Sequence, residues 1–171
     1  MTRNARRPLL LFAGAVALVF GLAACASASS TAPAVARVVI PAAAQTVTLS
    51  LNYGGTAGDR KPPAPVTVTS SAKVREVAAL VADQPPAPPG PTSCPAEDGR
   101  ALNLVFRADP GGPALATAVL SLNGCEFTDL TVSGKDHGLG EYGSGRSMAT
   151  RVLQTAGVAW KLPPFQWPAA S

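Results

Sequence analysis

The chain has 171 residues, with 14 Lys and Arg against 10 Asp and Glu, three cysteines and a single histidine. Three of the basic residues and none of the acidic ones precede residue 25, so of the net charge of +4 only +1 belongs to residues 25–171. That small excess removes the electrostatic case for nucleic-acid binding. One histidine and three separated cysteines do not make a zinc ligand set, so no metal is expected.

In chain order, Arg3, Arg6 and Arg7 give a positive start, Leu9 to Leu22 an uncharged apolar run, and Leu22-Ala23-Ala24-Cys25 a small-residue exit. This is the pattern of a cleaved export signal over residues 1–24. The apolar run is shorter than the ~20 residues needed for a membrane-spanning helix.

Leu22-Ala23-Ala24-Cys25 resembles the lipobox of bacterial lipoproteins. The resemblance implies a diacylglyceryl group on the Cys25 thiol and cleavage between Ala24 and Cys25. It also implies a lipid-anchored location on the extracytoplasmic face of the cell membrane. Two acyl chains hold durably where one is marginal, because each buried methylene adds about 0.8 kcal/mol. The plainer alternative is an ordinary signal cut elsewhere, with Cys25 a bystander. Arg6-Arg7 ahead of Pro8 is weakly like a twin-arginine signal, but the general secretory route is the expectation. The 32 alanines and the excess of arginine over lysine resemble proteins of high-GC actinobacteria.

Residues 25–45, rich in Ala, Ser and Pro, read as a tether, with an end-to-end distance of about 25 Å. Val38-Val39-Ile40 is a candidate short strand within it. From Thr46 to Tyr53, Val47, Leu49 and Leu51 alternate with Thr and Ser, the period of a half-buried strand. Val66 to Thr69 is a second, short strand. Ser70 or Ser71 is placed to cap a helix over Ala72–Asp83, whose apolar face is Val74, Val77, Ala78 and Val81. Pro85-Pro86 ends it. Leu102 to Arg107, Ala114 to Leu122 and Glu126 to Val132 read as a three-stranded meander. Its turns are marked by Asp109-Pro110-Gly111-Gly112 and, as a hairpin signal, Asn123-Gly124. The five glycines of residues 134–147 predict a loop. Ser147 to Val158 predicts a second helix with Met148, Val152 and Ala156 on one side.

With Cys25 lipidated, Cys94 and Cys125 remain as one pair. In an oxidising compartment an even pair reads as a disulfide. A closed loop of that length constrains the unfolded chain by about 3.5–4 kcal/mol. The expected fold is α+β: a small antiparallel sheet with one or two helices on one face and one disulfide, spanning residues 46–158. Strand, helix, Pro-rich loop, Cys, hairpin and Cys in that order loosely resemble uncharacterised secreted proteins and lipoproteins of actinobacteria. That resemblance brings no activity with it.

No set of residues reads as catalytic. Gly138-Leu139-Gly140-Glu141-Tyr142-Gly143 spells GxGxxG, but a dinucleotide site needs a returning parallel strand and an acid about 20 residues on. No Asp or Glu follows Glu141, so no cofactor is expected. His137 is a candidate base for Ser144 or Ser147, with Asp129 or Asp136 to orient its ring. Gly145-Arg146-Ser147-Met148-Ala149 departs from the GxSxG elbow at its last position. Trp160, Phe165 and Trp167 sit in a Pro-interrupted tail, residues 159–171. They are either core-covering anchors or an exposed patch that meets a partner.

The function expected is that of a non-catalytic binding or scaffold domain. Its partners would be the membrane, through lipid on Cys25, and an unknown envelope protein or glycan. A secreted hydrolase using His137 and a loop serine is one alternative. The other is an extracellular protease inhibitor, since Cys94-Pro95, a hairpin and Cys125 faintly resemble the reactive-loop disulfide of the Streptomyces subtilisin inhibitors. That family's other disulfide is missing from this sequence.

Overall fold

The computed structural model describes residues 37–54, 61–90, 94 and 98–164. Eight elements follow one another: β1 (Thr46–Tyr53), β2 (Val66–Val68), α1 (Ser71–Ala82), β3 (Arg100–Arg107), β4 (Ala114–Ser121), β5 (Thr128–Val132), β6 (Lys135–Leu139) and α2 (Gly145–Ala156). The fold is a small α+β one. All six strands form one antiparallel sheet in the order β2-β1-β3-β4-β5-β6. The two helices pack on each other and on β1, β4 and β5.

The period-two pattern of β1 decides which face is buried. Val47, Leu49 and Leu51 are in the core, while Thr48 and Ser50 are half-exposed and Asn52 is exposed. Register carries this alternation across the sheet. Leu49 lies opposite Leu104, Leu104 opposite Ala118, Ala118 opposite Leu130, and Leu130 opposite His137. A parallel row runs Val47, Phe106, Ala116 and Val132. Across this face, α1 contributes Val74, Val77 and Val81, and α2 contributes Met148, Ala149, Val152, Leu153 and Ala156. Burial of each large apolar side chain contributes about 1.5–3 kcal/mol. The small Ala116 and Ala118 of β4 face the side on which α2 packs.

Chain connection follows from these faces. β1 and β2 form a hairpin at one edge. α1 then carries the chain over the buried face, so that β3 pairs with the free side of β1. From β3 onward the sheet is a meander that runs one strand further than the sequence predicts.

The extra strand, β6, lies where the glycines predict a loop. Lys135-Asp136-His137-Gly138-Leu139 has no β-branched residue and almost no apolar alternation, so nothing in it signals a strand. The turn before it does the work. Ser133 and Gly134, with φ of 52° and 75°, form a two-residue turn with both positions left-handed, the geometry that matches the twist of a hairpin. Val132 then pairs with Lys135. Asn123-Gly124, expected as a tight hairpin, instead lies in a connection running from Leu122 to Phe127 between β4 and β5.

Other boundaries shift for identifiable reasons. Val38-Val39-Ile40 is not a strand, but Ile40 and Ala44 are buried and join the core ahead of β1. Ser70 occupies the cap position of α1 without a side-chain capping bond. α2 opens at Gly145, two residues earlier than expected, and ends at Gly157, whose φ of 75° lets its N–H close onto the last turn. Pro85-Pro86-Ala87 runs along the outer edge of β6. Ala87 donates to the Gly138 carbonyl, and Gly140 donates to that of Pro85.

The disulfide is present, with Cys94 and Cys125 Cα atoms 5.1 Å apart, and it fastens the Pro-rich segment to the β4–β5 connection. Gly145 lies against the same connection. A Cβ there would run into the carbonyl oxygens of Ser121 and Glu126, both backbone atoms. In an open helix, Ala in place of Gly stabilises by up to about 1 kcal/mol. Here Gly145→Ala is expected to destabilise the domain by ~1–3 kcal/mol, because α2 must move off the sheet. Urea unfolding of the two proteins measures this, and a midpoint that rises in the variant contradicts the close approach.

Candidate functional site

Of the side chains that could form a hydrolytic set, the sheet parts the two acids from His137. His137 points to the helix-bearing face, at the end of the row that begins at Leu49. Its neighbour Asp136 is on the opposite face, where it accepts a 2.6 Å bond from Thr131 Oγ1. Asp129, paired with Gly138, is on that opposite face as well. Neither acid is placed to orient the imidazole. The two serines serve the start of α2. Ser144 Oγ accepts the Glu141 N–H at 3.1 Å, and Ser147 Oγ donates to the Ser144 carbonyl at 2.8 Å. The GxGxxG glycines leave an antiparallel edge strand and enter a short turn before α2, so no parallel β-α-β unit holds them. Among the described residues, no three His, Cys, Asp or Glu side chains cluster as metal ligands would, and no helix is long and apolar enough to cross a membrane.

A second locus, at the end of the sheet near the disulfide, is one that the sequence did not signal. Arg100, at the start of β3, is 4% exposed. Its Nε lies 2.9 Å from Asp98 Oδ2, and its Nη1 donates to the Pro164 carbonyl at 2.8 Å. Asn123 Nδ2 donates to the same Asp98 oxygen. Arg146, in the first turn of α2, donates from Nη1 to the Pro163 carbonyl at 2.7 Å and from Nη2 to that of Leu122 at 3.2 Å. The buried Glu126 completes the arrangement. It is held at φ 55°, and its carboxylate accepts the Arg146 N–H, capping α2 and matching the positive end of its dipole.

These bonds fix the segment after α2. Val158, Trp160 and Leu162 are half-buried against the core. Trp160 and Leu162 lie over α2 beside Arg146, Thr150 and Leu153. Trp160 is thus a partly covered anchor. Phe165 and Trp167 lie outside the described residues, as do Ala24, Cys25 and the tether up to residue 36. The residues flanking Cys94 that an inhibitor loop would use, 91–93 and 95–97, also lie outside them.

Among the described residues, two accessible surfaces lie beside these groups. One is the sheet face that bears no helix. Its rows run Thr67, Thr48, Val105, Thr117, Thr131, Asp136 and Ser50, Asn103, Val119, Asp129, Gly138. The other is a groove of about 490 Å³ at the β6 edge of the helix side, lined by Arg37, Val38, Ala82, Gln84, Pro86, His137 and Leu139. Gln84 is buried there and bonds to the Val81 carbonyl and to Thr128. Arg37 donates from Nη2 to Asp83 at the mouth. Comparison with protein-family models, with curated proteins and with solved structures finds no match to this chain.

Arg146→Ala removes the hydrogen bond that holds the segment after α2 at Pro163 and the one that ties the same guanidinium to Leu122, each contributing about 1–3 kcal/mol from a charged donor. Trypsin, which cuts after the exposed Lys161, is expected to cleave the folded variant at least ~10-fold faster than the native protein. Equal cleavage rates at that bond would show that the guanidinium does not hold the segment.

Proposed function

We propose that this is a lipid-anchored protein of the cell envelope, held on the extracytoplasmic face of the membrane through Cys25. Its domain acts as a non-catalytic binding or scaffold module for an envelope protein or glycan. The observation that carries the reading is the division of polar side chains by β6. His137 lies on the helix side and Asp129 and Asp136 on the other, where they join a polar surface spanning the sheet. A hydrolytic site needs base, nucleophile and orienting group within hydrogen-bond reach. A binding surface needs only an accessible, fixed arrangement of groups, and a rigid, disulfide-fastened sheet supplies that.

The anchor is tested by growing cells with alkyne-tagged palmitate. The native chain is expected to take up the tag and fractionate with membranes, and Cys25→Ser to do neither. Equal tagging of both proteins removes the lipoprotein reading.

Binding is tested with residues 26–171 as bait on envelope extract from the native host, beside a bait ending at Pro164. This shorter bait keeps both arginine contacts and loses Phe165 and Trp167. Capture by the longer bait alone assigns the site to the aromatic tail. Capture by both assigns it to the sheet face or the groove. If neither captures a protein or glycan, or if a hydrolytic activity disappears in His137→Ala, the non-catalytic binding reading falls.

A further inference from the structure

Among the described residues, the strand rows of the helix-free sheet face carry charge at Arg107, Asp129 and Asp136, and one molecule keeps the two signs apart. Arg107, on β3, reaches over β1, where its Nη1 donates to Thr48 Oγ1 at 3.5 Å, and it makes no ion pair. Asp136, on β6, accepts the Thr131 hydroxyl and makes no ion pair either. Asp129, on β5, is exposed opposite Gly138. From β1 to β6 is four strand spacings, about 19 Å, so the guanidinium and the Asp136 carboxylate of one copy cannot meet. Between the two flanks lie Val105, Thr117, Val119 and Thr131, all β-branched, with Val119 36% exposed. The face thus has a positive flank, an uncharged centre and a negative flank.

We infer that this face pairs with the same face of a second copy of the chain, about a two-fold axis running along β4. A two-fold interface uses one patch on both copies, so the patch must be its own complement. β4 lies midway between β1 and β6. Rotation about it sets β3 over β5 and β1 over β6 of the second copy, and the rows then match position by position. Thr48, with the Arg107 guanidinium upon it, lies over Asp136 of the second copy. Asn103, whose amide can donate, lies over Asp129 of the second copy. Thr117 and Val119 meet their own counterparts on the axis. A two-fold axis across the strands would instead set Arg107 on Arg107 and each acid on itself, so charge selects the axis along β4. That axis also keeps the strands of the two sheets within the ~30° at which aligned sheets pack. With eight residues along β4 and five strands across, the face measures up to about 27 by 24 Å, roughly 650 Å² on each copy. The pair buries about 1,300 Å², within the ~1,200–2,000 Å² of specific protein pairs. The inference rests on the binding reading above and names the protein that its sheet face takes.

The test uses the full chain in cells. Val119→Cys places a thiol on the axis, and Thr67→Cys places one on β2, three strands from it. Cells are treated with copper phenanthroline, and cross-linked dimer is measured on non-reducing gels. Val119→Cys is expected to cross-link and Thr67→Cys not to, because two copies of Thr67 lie on opposite sides of the pair. In the Val119→Cys chain, Arg107→Asp alone or Asp136→Arg alone is expected to lower the cross-linked fraction about tenfold, since each sets like charges together. The two changes combined exchange the charges and are expected to restore it. Restoration also shows that the substituted chains fold, and melting temperatures check each single variant. No cross-link at Val119, equal cross-linking at both positions, indifference to the single variants, or no recovery in the combined one overturns the inference. If that happens while the bait still captures a different envelope protein or a glycan, the binding reading survives and only the second copy is lost.

Discussion

The rest of the structure depends on register across the antiparallel sheet. Because side chains alternate strictly along each strand, a slip of one residue at any pairing would turn an entire apolar row to water. The rows starting at Val47, Leu49 and Leu51 stay in step through β3, β4 and β5. That agreement creates one face that must be covered and one that need not be. The two helices, the crossing of α1 over the sheet and the burial of Ile40 and Ala44 ahead of β1 all answer that single requirement.

At the end of the sheet near the disulfide a different kind of bonding takes over. Leu122 to Phe127 is an irregular connection whose backbone groups have no sheet partner on one side. It is satisfied from several directions at once: by the Arg146 guanidinium at Leu122, by the Gly143 N–H at Cys125, and by the Ser121 N–H at Phe127. Phe127 and Tyr142, with ring centroids 5.0 Å apart, bring the glycine-bearing turn down onto it. Cys125 adds a covalent hold. Buried polar groups of this kind are costly unless partnered, so each contact depends on the others being made. The loop between β6 and α2 is therefore a docked element of the domain, and it sets where α2 begins.

The sequence was most legible where periodicity and composition act locally. The span of β1 is as the alternation predicts, α1 agrees with its Val74, Val77, Ala78, Val81 stripe, and the pairing of the two later cysteines holds. β6 was not legible, because an edge strand with polar side chains and a glycine has no pattern of its own. Its formation is dictated by the turn at Ser133-Gly134 and by its neighbour. Nor was the cluster around Arg100 and Arg146 legible, since its partners are up to 64 positions away and carbonyl acceptors leave no mark on composition. His137 is the instructive case. Sequence places Asp136 beside it, but in a strand adjacent side chains point to opposite faces, and this separates residues that proximity in the chain would join.

The treatment of the sheet's edges bears on how the protein behaves at high density. An exposed strand edge is a template on which another copy can add its own strands, the first step of uncontrolled aggregation. At one edge, β2 is only three residues long. At the other, the proline segment occupies the backbone groups of β6 near Gly138 and Gly140, while Lys135 and Asp136 put charge at its start. Among the described residues, one edge strand is thus very short and the other is partly occupied. Many copies can therefore be crowded side by side on a surface, at local concentrations far above those of free solution, without their sheets merging.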